Sequence, residues 1–356
     1  MARLLIAALQ MKGHELTIAS RLRSWDDKGN ALQQDRIRQH GQALARRYVE
    51  HHKRHPPDVW FTYHLYHKAP DWIGPNVANA FEIPYIVAEA SFAPKQSGGA
   101  WAQGHQSVSE ALMRADCAIS LSPTDIECVV PALRQPELLK TIAPFLNTEQ
   151  PSRAAARRHQ HRLELARKHR INTEIPWLLT VAMMREGDKF ESYSILSKLI
   201  RHLGDSKWAL IIVGDGPARA KVEAMLGKDA HIHYLGMQSP TQIMQLNAAA
   251  DVFCWPAINE AYGMAMLEAQ AAGLPVVAGN GVGVAQIVDN GKTGALGQAN
   301  DPGALADMVR KLLNSTQLRK EMRNAALEKT AKIHNISTAA TQLDKFIREA
   351  RIETNR

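Results

Sequence analysis

The order of apolar and turn-forming segments predicts an α/β protein built from two doubly wound domains. Short runs of β-branched and aromatic residues, each bounded by glycine or proline, alternate with amphipathic helical segments. The chain of 356 residues is longer than a single hydrophobic core usually supports. The proline-bounded segment 143–151 separates the two series of strands and helices. We therefore predict domains over residues 1–147 and 148–335, followed by a C-terminal helix within 336–356 that packs on the first domain.

The first half contains a regular series of predicted elements. Its helices are predicted over residues 1–12, 36–53, 73–81, 106–115 and 123–132, and its strands over 14–20, 58–63, 84–89 and 117–121. Gly13 ends the first helix, and Pro56 and Pro57 follow the second. The spacing is typical of a parallel sheet with helical crossovers.

The second half repeats the pattern after a basic helix over residues 153–170. Strands are predicted over 176–182, 208–213, 231–236, 252–255 and 276–278, and helices over 264–272, 301–313, 317–332 and 338–352. A Gly-x-Gly at Gly214 follows one of these strands, but the third glycine of a dinucleotide-binding fingerprint is absent. We interpret Gly214 as part of a tight turn beside a ligand cleft.

Composition excludes several classes of protein. The net charge is +8, and much of the excess lies in residues 40–55 and 153–170. These segments are either solvated helix faces or surfaces that dock on anionic lipid headgroups or an acidic acceptor. Nucleic-acid binding is not expected, because no basic stripe is interleaved with aromatic residues. No apolar run is long enough to span a bilayer.

The three cysteines, Cys117, Cys128 and Cys254, have no spacing typical of a zinc site. We predict that all three are free, buried thiols, as in a protein of the reducing cytoplasm.

Residues 251–289 contain the main candidate site. A strand ended by Pro256 leads through Glu260 and Gly263 into a helix, whose first backbone N–H groups have no partner within the helix. Such a helix start can bind phosphate. Glu260 can accept hydrogen bonds from a polyol, and a buried Glu268 can bind a ribose diol. The alternative is an ordinary αβ unit with two surface acids.

These residues resemble the nucleotide-sugar motif of retaining glycosyltransferases of family four. The resemblance lies in Glu260 and Glu268 eight positions apart, in the residues from Glu268 to Val277, and in Asp289-Asn-Gly-Lys-Thr-Gly294. It implies the GT-B fold, with two Rossmann-like domains facing across a cleft. It also implies retaining transfer of a sugar from a nucleotide-sugar to a hydroxyl acceptor, in cell-surface polysaccharide or glycolipid synthesis.

The resemblance also assigns roles to particular residues. Glu260 and His64 are expected at the reacting sugar, and donor binding is expected from Arg185, Lys189, Gly214, Gly263, Met264, Ala265 and Glu268. An Arg and a Lys hold the pyrophosphate in the family, in place of a metal. Its usual spacing puts the Arg on Met184, one position before Arg185. His67, Glu89 and Asn259 are candidate contacts to sugar or acceptor, and Glu89 stands where the family frequently has His.

The resemblance makes further predictions about the start of the chain and its setting. In the family, a strand and a glycine-rich loop precede the helix that here spans residues 1–12, and we expect the first domain to lack that strand. Neither a cofactor nor a metal is expected. The expected partners are a nucleotide-sugar and a saccharide or lipid-linked acceptor. The expected location is the cytoplasm, with peripheral contact at the inner membrane surface.

Two other functions fit the same architecture. One is a nucleotide-sugar-binding protein without catalysis, and the other is a sugar-nucleotide epimerase of the GT-B fold. An NAD-dependent oxidoreductase would need the complete glycine fingerprint and a ribose-binding acid about twenty residues later, and neither is found.

Overall fold

The computed structural model describes residues 1–204, 207–227 and 229–354, which form two compact units. Unit 1 comprises Met1–Ala143 together with the C-terminal segment that begins at Ser337, and unit 2 is Pro144–Ile336. The predicted boundaries, after residues 147 and 335, are displaced from these by a few positions. Residues 355 and 356 of the predicted C-terminal segment lie outside the described part of the chain.

Unit 1 is a parallel sheet of four strands in the order β1-β2-β3-β4. The strands are β1 (Trp60–Leu65), β2 (Tyr85–Ala90), β3 (Cys117–Ser120) and β4 (Leu139–Thr141). Its helices are α1 (Ala2–Gln10), α2 (Ala31–His52), α3 (Gly74–Phe81), α4 (Ala102–Arg114) and the single turn α5 (Ile126–Val129). The side chains of its main core cluster come from β1, β2 and β3, from α3, α4 and α5, and from the turns that follow these helices.

Unit 2 is a parallel sheet of six strands in the order β10-β9-β8-β5-β6-β7. The strands are β5 (Trp177–Val181), β6 (Ala209–Val213), β7 (Ile232–Gly236), β8 (Val252–Trp255), β9 (Val276–Gly279) and β10 (Gly294–Gly297). The two central strands, β5 and β8, are almost completely buried. This is the pattern of a sheet covered on both faces by helices.

Unit 2 begins with two helices, and most of its other helices alternate with the strands. They are α6 (Glu149–Ala156), α7 (Arg158–His169), α8 (Asp188–Leu203), α9 (Arg219–Leu226), α10 (Pro240–Ala249), α11 (Met264–Ala271), α12 (Val282–Ile287), α13 (Pro302–Leu313) and α14 (Thr316–Lys332). The last helix, α15 (Ile336–Thr354), belongs almost entirely to unit 1, where His14 bonds Asp344 at 3.1 Å.

Several predicted elements are wrong in detail. Residues 14–20 are not a strand, because no described strand pairs with them, and Ile18 is 67% exposed. The predicted helix over 123–132 is broken into a 3₁₀ turn, α5 and a second 3₁₀ turn that contains Pro131. No helix was predicted over residues 282–287, where the short helix α12 forms. The strands β4 and β10, of three and four residues, were not predicted.

The cysteine prediction needs one correction. All three cysteines are free, and Cys117 and Cys254 are buried as predicted. Cys128 is exposed, because it lies on the single turn α5 at the surface of unit 1. Burial raises the pKa of Cys254 to about 12.

The predicted basic helix is two helices, and two of its arginines point inward. Arg158 and Arg162 both bond the carboxylate of Asp251, at 2.6 and 2.9 Å. They also donate to carbonyl groups at the end of α10, those of Ala248 and Ala249 among them. These guanidinium groups therefore neutralise the negative end of α10 and hold α7 against the sheet.

No helix in the described part of the chain is long and apolar enough to cross a membrane.

We expect Asp251→Asn to destabilise unit 2 by about 3 kcal/mol, because it removes the charge that compensates two largely enclosed arginines. The measurement is urea unfolding followed by circular dichroism. The matched control is Asp307→Asn, which breaks an exposed pair with Arg310 on one helix and is expected to cost at most about 0.5 kcal/mol. Equal losses in the two variants would contradict the assigned role of Asp251.

Candidate functional site

Strands β5 and β8 lie next to each other at the reversal point of the sheet of unit 2, where the chain changes the side to which it adds strands. From β5 the chain adds β6 and β7 on one side, and β8 and the later strands lie on the other side. A crevice forms beyond the carboxyl ends of parallel strands at such a reversal, and ligands of α/β proteins bind there. The segments 182–189 and 256–263 follow these two strands and meet at this point.

An ion pair joins the two segments. Lys189 Nζ, in the first turn of α8, donates to Glu260 Oε2 in the loop after β8. The side chains are 18% and 19% exposed, so water still reaches both. The ammonium group also lies 5.7 Å from the centre of the Trp255 ring. The structure therefore brings together a cation and a carboxylate that the sequence places 71 positions apart.

The loop that carries Glu260 is fixed by helix α8. Ser192 Oγ accepts the N–H of Ile258 at 3.0 Å and donates to the carbonyl of Asp188 at 2.8 Å. Asn259 Nδ2 donates to Asp188 Oδ1 at 2.9 Å. The backbone of Asn259 has a φ of +47°, which is uncommon outside glycine. Strained positions of this kind persist where surrounding contacts hold them, often at binding sites.

Ser192 and Asp188 were not among the predicted site residues. Their signal in the sequence is their spacing, because Ser192 follows Lys189 by three positions and so lies near it on the helix surface. Nothing in the sequence indicates which loop that surface contacts.

Gly263 is the N-cap of helix α11 and has a φ of +67°. The N–H groups of Gly263, Met264 and Ala265 have no hydrogen-bond partner among the described residues, as the predicted anion site requires. The next N–H group, that of Met266, is not free, because it donates to the carbonyl of Gly263 at 2.8 Å. The site thus has three free amides.

Arg185 and Met184 differ in their surroundings. Met184 is 1% exposed, and its backbone N–H and carbonyl are bonded to the loop after β6. Arg185 is exposed and makes no hydrogen bond or ion pair with the described residues, so its guanidinium group is available to a ligand. A side chain at position 184 is buried, whereas the side chain at position 185 is exposed. Arg185 is therefore the better candidate for the arginine of the motif.

Gly214 has a packing role in the same region. A Cβ atom at this position would lie 1.9 Å from the carbonyl oxygen of Ala182, which follows β5. The glycine thus lets the loops after β5 and β6 approach each other, and contact with a ligand stays a prediction.

Glu268 is exposed, so the prediction of a buried carboxylate at this position is wrong. It lies on the second turn of α11, and water reaches it. Surrounding protein nevertheless partly desolvates the carboxylate and raises its pKa above the ordinary value. A hydroxyl ligand could therefore reach Glu268 from solvent.

The remaining predicted residues lie in unit 1. His64 and Glu89 lie at the carboxyl ends of β1 and β2, and both have positive φ values, of 68° and 62°. His67 follows β1, and its Nδ1 is buried without a hydrogen-bond partner among the described residues. Burial and the nearby charges of Lys68, His105 and Lys95 lower the pKa of His67.

The described residues include no group of three or more His, Cys, Asp and Glu side chains placed to hold a metal ion. That the protein works without a metal stays a prediction. The three free amides, Arg185 and Lys189 provide donors for an anion instead.

Sequence comparisons relate part of the chain to glycosyltransferases. Residues 162–329 match the family model described as glycosyl transferases group 1. Over 125 residues the chain is 36% identical to D-inositol 3-phosphate glycosyltransferase of Corynebacterium efficiens. The aligned residues are 35% of this chain and 29% of that protein. It is 31% identical over 145 residues to a sulfoquinovosyl transferase of Arabidopsis thaliana, covering 40% and 28% of the two chains. The aligned part thus spans about three-tenths of these relatives.

Solved structures agree with the fold of the whole chain. A glycosyltransferase from Rickettsia africae superposes with a TM-score of 0.74 at 16% identity, over 97% of this chain and 87% of that one. The Anabaena HepE protein in complex with UDP gives a TM-score of 0.69 at 17% identity, over 86% and 82%. The GT-B fold is therefore confirmed.

We expect Ser192→Ala to loosen the loop that carries Glu260, because the N–H of Ile258 loses its acceptor, at a cost of about 1–3 kcal/mol. The measurement is hydrogen exchange of the peptide that contains residues 256–263. The control is Ser194→Ala on the same helix, which should leave exchange of that peptide unchanged. Unchanged exchange in Ser192→Ala would show that other contacts hold the loop.

Proposed function

We propose that this chain is a glycosyltransferase, because residues 162–329 match the family model described as glycosyl transferases group 1. The reaction is transfer of a sugar, with retention of its anomeric configuration, from a nucleotide-sugar to a hydroxyl acceptor. The observation that carries this proposal is the meeting of Lys189, Glu260 and the start of α11 at the reversal point of the sheet.

The proposed reaction needs stabilisation of the departing diphosphate. As the bond between the anomeric carbon and the phosphate oxygen breaks, negative charge grows on the diphosphate. Lys189, Arg185 and the free amides of Gly263, Met264 and Ala265 are donors suited to that charge. Their loops are held by the sheet and by α8, so little reorganisation is needed when the charge develops.

The two glutamates have separate roles in the proposal. Glu260 accepts hydrogen bonds from hydroxyl groups of the donor sugar and so orients the anomeric carbon. Glu268 binds the ribose hydroxyls of the nucleotide. One of the similar structures contains UDP and glucose, and another contains UDP-glucose. Uridine nucleotide-sugars are therefore the first class of donor to test.

The acceptor is proposed to be a saccharide or a lipid-linked saccharide of the cell surface. The relatives named above are sugar transferases by name, and the name of one of them includes D-inositol 3-phosphate. Arg157, between α6 and α7, and Arg167 and Lys168, on α7, remain exposed and provide a basic surface. We propose that this surface allows peripheral contact with anionic lipid headgroups at the inner membrane.

We expect Lys189→Ala to weaken binding of the donor's nucleoside diphosphate by about 1.5–3 kcal/mol, because a charge-assisted hydrogen bond is lost. This corresponds to roughly 10- to 150-fold in the dissociation constant. The measurement is calorimetric titration with UDP, GDP and ADP in the absence of metal. The control is Lys198→Ala, an exposed lysine further along α8. Equal binding of mono- and diphosphate by the unchanged protein would contradict the roles of Arg185 and Lys189.

We expect Glu260→Gln to lower turnover on the order of 100-fold, because the donor sugar is no longer held in place. Diphosphate affinity should not fall, because Lys189 is released from its partner in the free protein. Turnover is measured as released diphosphate, and affinity by the same titration. Weaker diphosphate binding in this variant would contradict the assignment of Glu260 to the sugar. Binding of a diphosphate without any turnover by the unchanged protein would favour a non-catalytic nucleotide-binding protein.

A further inference from the structure

A group of basic side chains lies beyond the carboxyl ends of β1 and β2 in unit 1. His67 and Lys68 follow β1, Lys95 lies in the 3₁₀ turn after β2, and His105 lies on the first turn of α4. These four residues form the basic cluster, and all of them belong to unit 1. The cluster thus lies at the edge of a parallel sheet where α/β proteins bind ligands.

Aromatic rings hold the members of the basic cluster in place. The centre of the Trp101 ring lies 5.9 Å from that of the His67 ring and 4.4 Å from the ammonium nitrogen of Lys68. The centre of the His105 ring lies 4.6 Å from that of the Phe92 ring. A lysine held over a tryptophan ring is more ordered than a lysine in open solvent. The cluster is therefore positioned before any ligand arrives.

Two ring nitrogens of the basic cluster lack hydrogen-bond partners. His67 Nδ1 and His105 Nε2 are both buried, and neither bonds to any of the described residues. The whole His105 residue is only 8% exposed. Buried polar atoms almost always have a partner, because leaving one without a partner costs free energy. Two such atoms in one cluster indicate a bound molecule, either water or a ligand.

The charges around these nitrogens favour an anion. Burial lowers the pKa of His67, and the charges of Lys68, His105 and Lys95 lower it further. Neither lysine makes a hydrogen bond or an ion pair with the described residues. The cluster therefore gathers positive charge that no carboxylate among those residues neutralises through direct contact.

One acid lies beside the basic cluster, but its hydrogen-bonding capacity is used elsewhere. The N–H of Asp26 donates to the carbonyl of Lys68 at 2.8 Å. The Asp26 carboxylate accepts the N–H groups of Lys28 and Asn30 and the side-chain amide of Gln34, at 3.1, 3.0 and 2.8 Å. Asp26 thus holds its own segment together and leaves the ammonium group of Lys68 available.

The start of α4 adds partial positive charge beside His67. The N–H groups of Gln103 and Gly104, in the first turn of this helix, have no hydrogen-bond partner among the described residues. A Cβ atom at Gly104 would lie 2.0 Å from the carbonyl oxygen of His67, so a glycine is needed for the helix start to lie this close. The positive end of the helix dipole therefore acts in the same direction as the lysines.

We propose that the basic cluster binds a phosphate or carboxylate group, and that the acceptor of this protein carries such a group. The anion site stands on unit 1 alone, and only the identification of its ligand as the acceptor rests on the proposed glycosyl transfer. The oxygens of the anion accept hydrogen bonds from the ammonium groups of Lys68 and Lys95. They also accept from the ring nitrogens of His67 and His105, which donate when they carry a proton.

The test follows the imidazole resonances of the protein by NMR. Inorganic phosphate, glucose 6-phosphate, glucuronate or glucose is added at constant ionic strength, and the resonance of His67 is identified as the one absent in His67→Gln. A bound anion should shift this resonance and raise the pKa of His67, because a neighbouring negative charge favours the imidazolium form. A response to the phosphates, to glucuronate or to both supports the site, whereas uncharged glucose should have no effect.

Variants of the lysines make the test specific. Lys68→Gln should weaken anion binding on the order of 10-fold, because a charge-assisted hydrogen bond is lost. Lys95→Gln should weaken it about 2- to 5-fold, because Lys95 is exposed and so should also fold normally. The matched controls are Lys53→Gln, at an exposed lysine of α2's C-terminal end, and His52→Gln, at a histidine whose Nδ1 is bonded to the carbonyl of Tyr48 at 2.9 Å. Both controls should bind as the unchanged protein does.

Phosphate that binds in unit 2 is separated from this site by Lys189→Ala, which should leave the response of His67 intact. The inference is overturned if no anion shifts the His67 resonance, as ordered water at the ring nitrogens predicts, or if the response is unchanged in Lys68→Gln and Lys95→Gln.

Sugar transfer from UDP-glucose to glucose 6-phosphate, glucuronate and glucose separates the inference from the proposed function. Anion binding at His67 without transfer to any acceptor would sink the proposed function and leave the anion site. Transfer to glucose but to neither charged acceptor would sink the inference about the acceptor alone.

Discussion

The hydrogen bonds between Asp251 and Trp177 set the geometry on which the candidate donor site depends. The N–H of Trp177 donates to Asp251 Oδ2 at 2.8 Å, and the N–H of Asp251 donates to the carbonyl of Trp177 at 2.9 Å. These bonds fix where β5 and β8 start relative to each other. A slip of one residue would move the strand ends by about 3.3 Å, enough to separate Lys189 from Glu260. The arginines of α7 keep the carboxylate in place.

Unit 1 uses the same device. Asp116 precedes β3, its Oδ2 accepts the N–H of Tyr85 at 2.8 Å, and its own N–H donates to the carbonyl of Tyr85 at 2.9 Å. Arg114 and Arg134 bond this carboxylate as the arginines of α7 bond Asp251. Both sheets are thus anchored at the amino edge by an aspartate and two arginines. The carboxyl edge carries two of the predicted site residues, Glu89 in unit 1 and Glu260 in unit 2.

The ion pair between Lys189 and Glu260 has a consequence for ligand binding at the candidate donor site. Each group satisfies the other in the free protein, which lowers the cost of keeping two charges partly out of water. A nucleotide-sugar would replace each partner with a better one, because its diphosphate carries negative charge for the lysine and its sugar provides hydroxyl donors for the glutamate. A ligand that has only one of these two parts would leave one charge uncompensated.

The sequence by itself determined the fold class, the alternation of strands and helices, and the motif that contains Glu260 and Gly263. These features depend on periodicity and on residues close together in the chain, which local physical rules describe. Tertiary structure decided the rest. Arg158 and Arg162 looked like a solvated basic face, yet they bond an aspartate about ninety positions away. Residues 14–20 have the composition of a strand but pair with no strand in the described part of the chain. The proton affinity of Glu89 depends on burial and on Asp125, and such a distant neighbour is known only once the chain has folded.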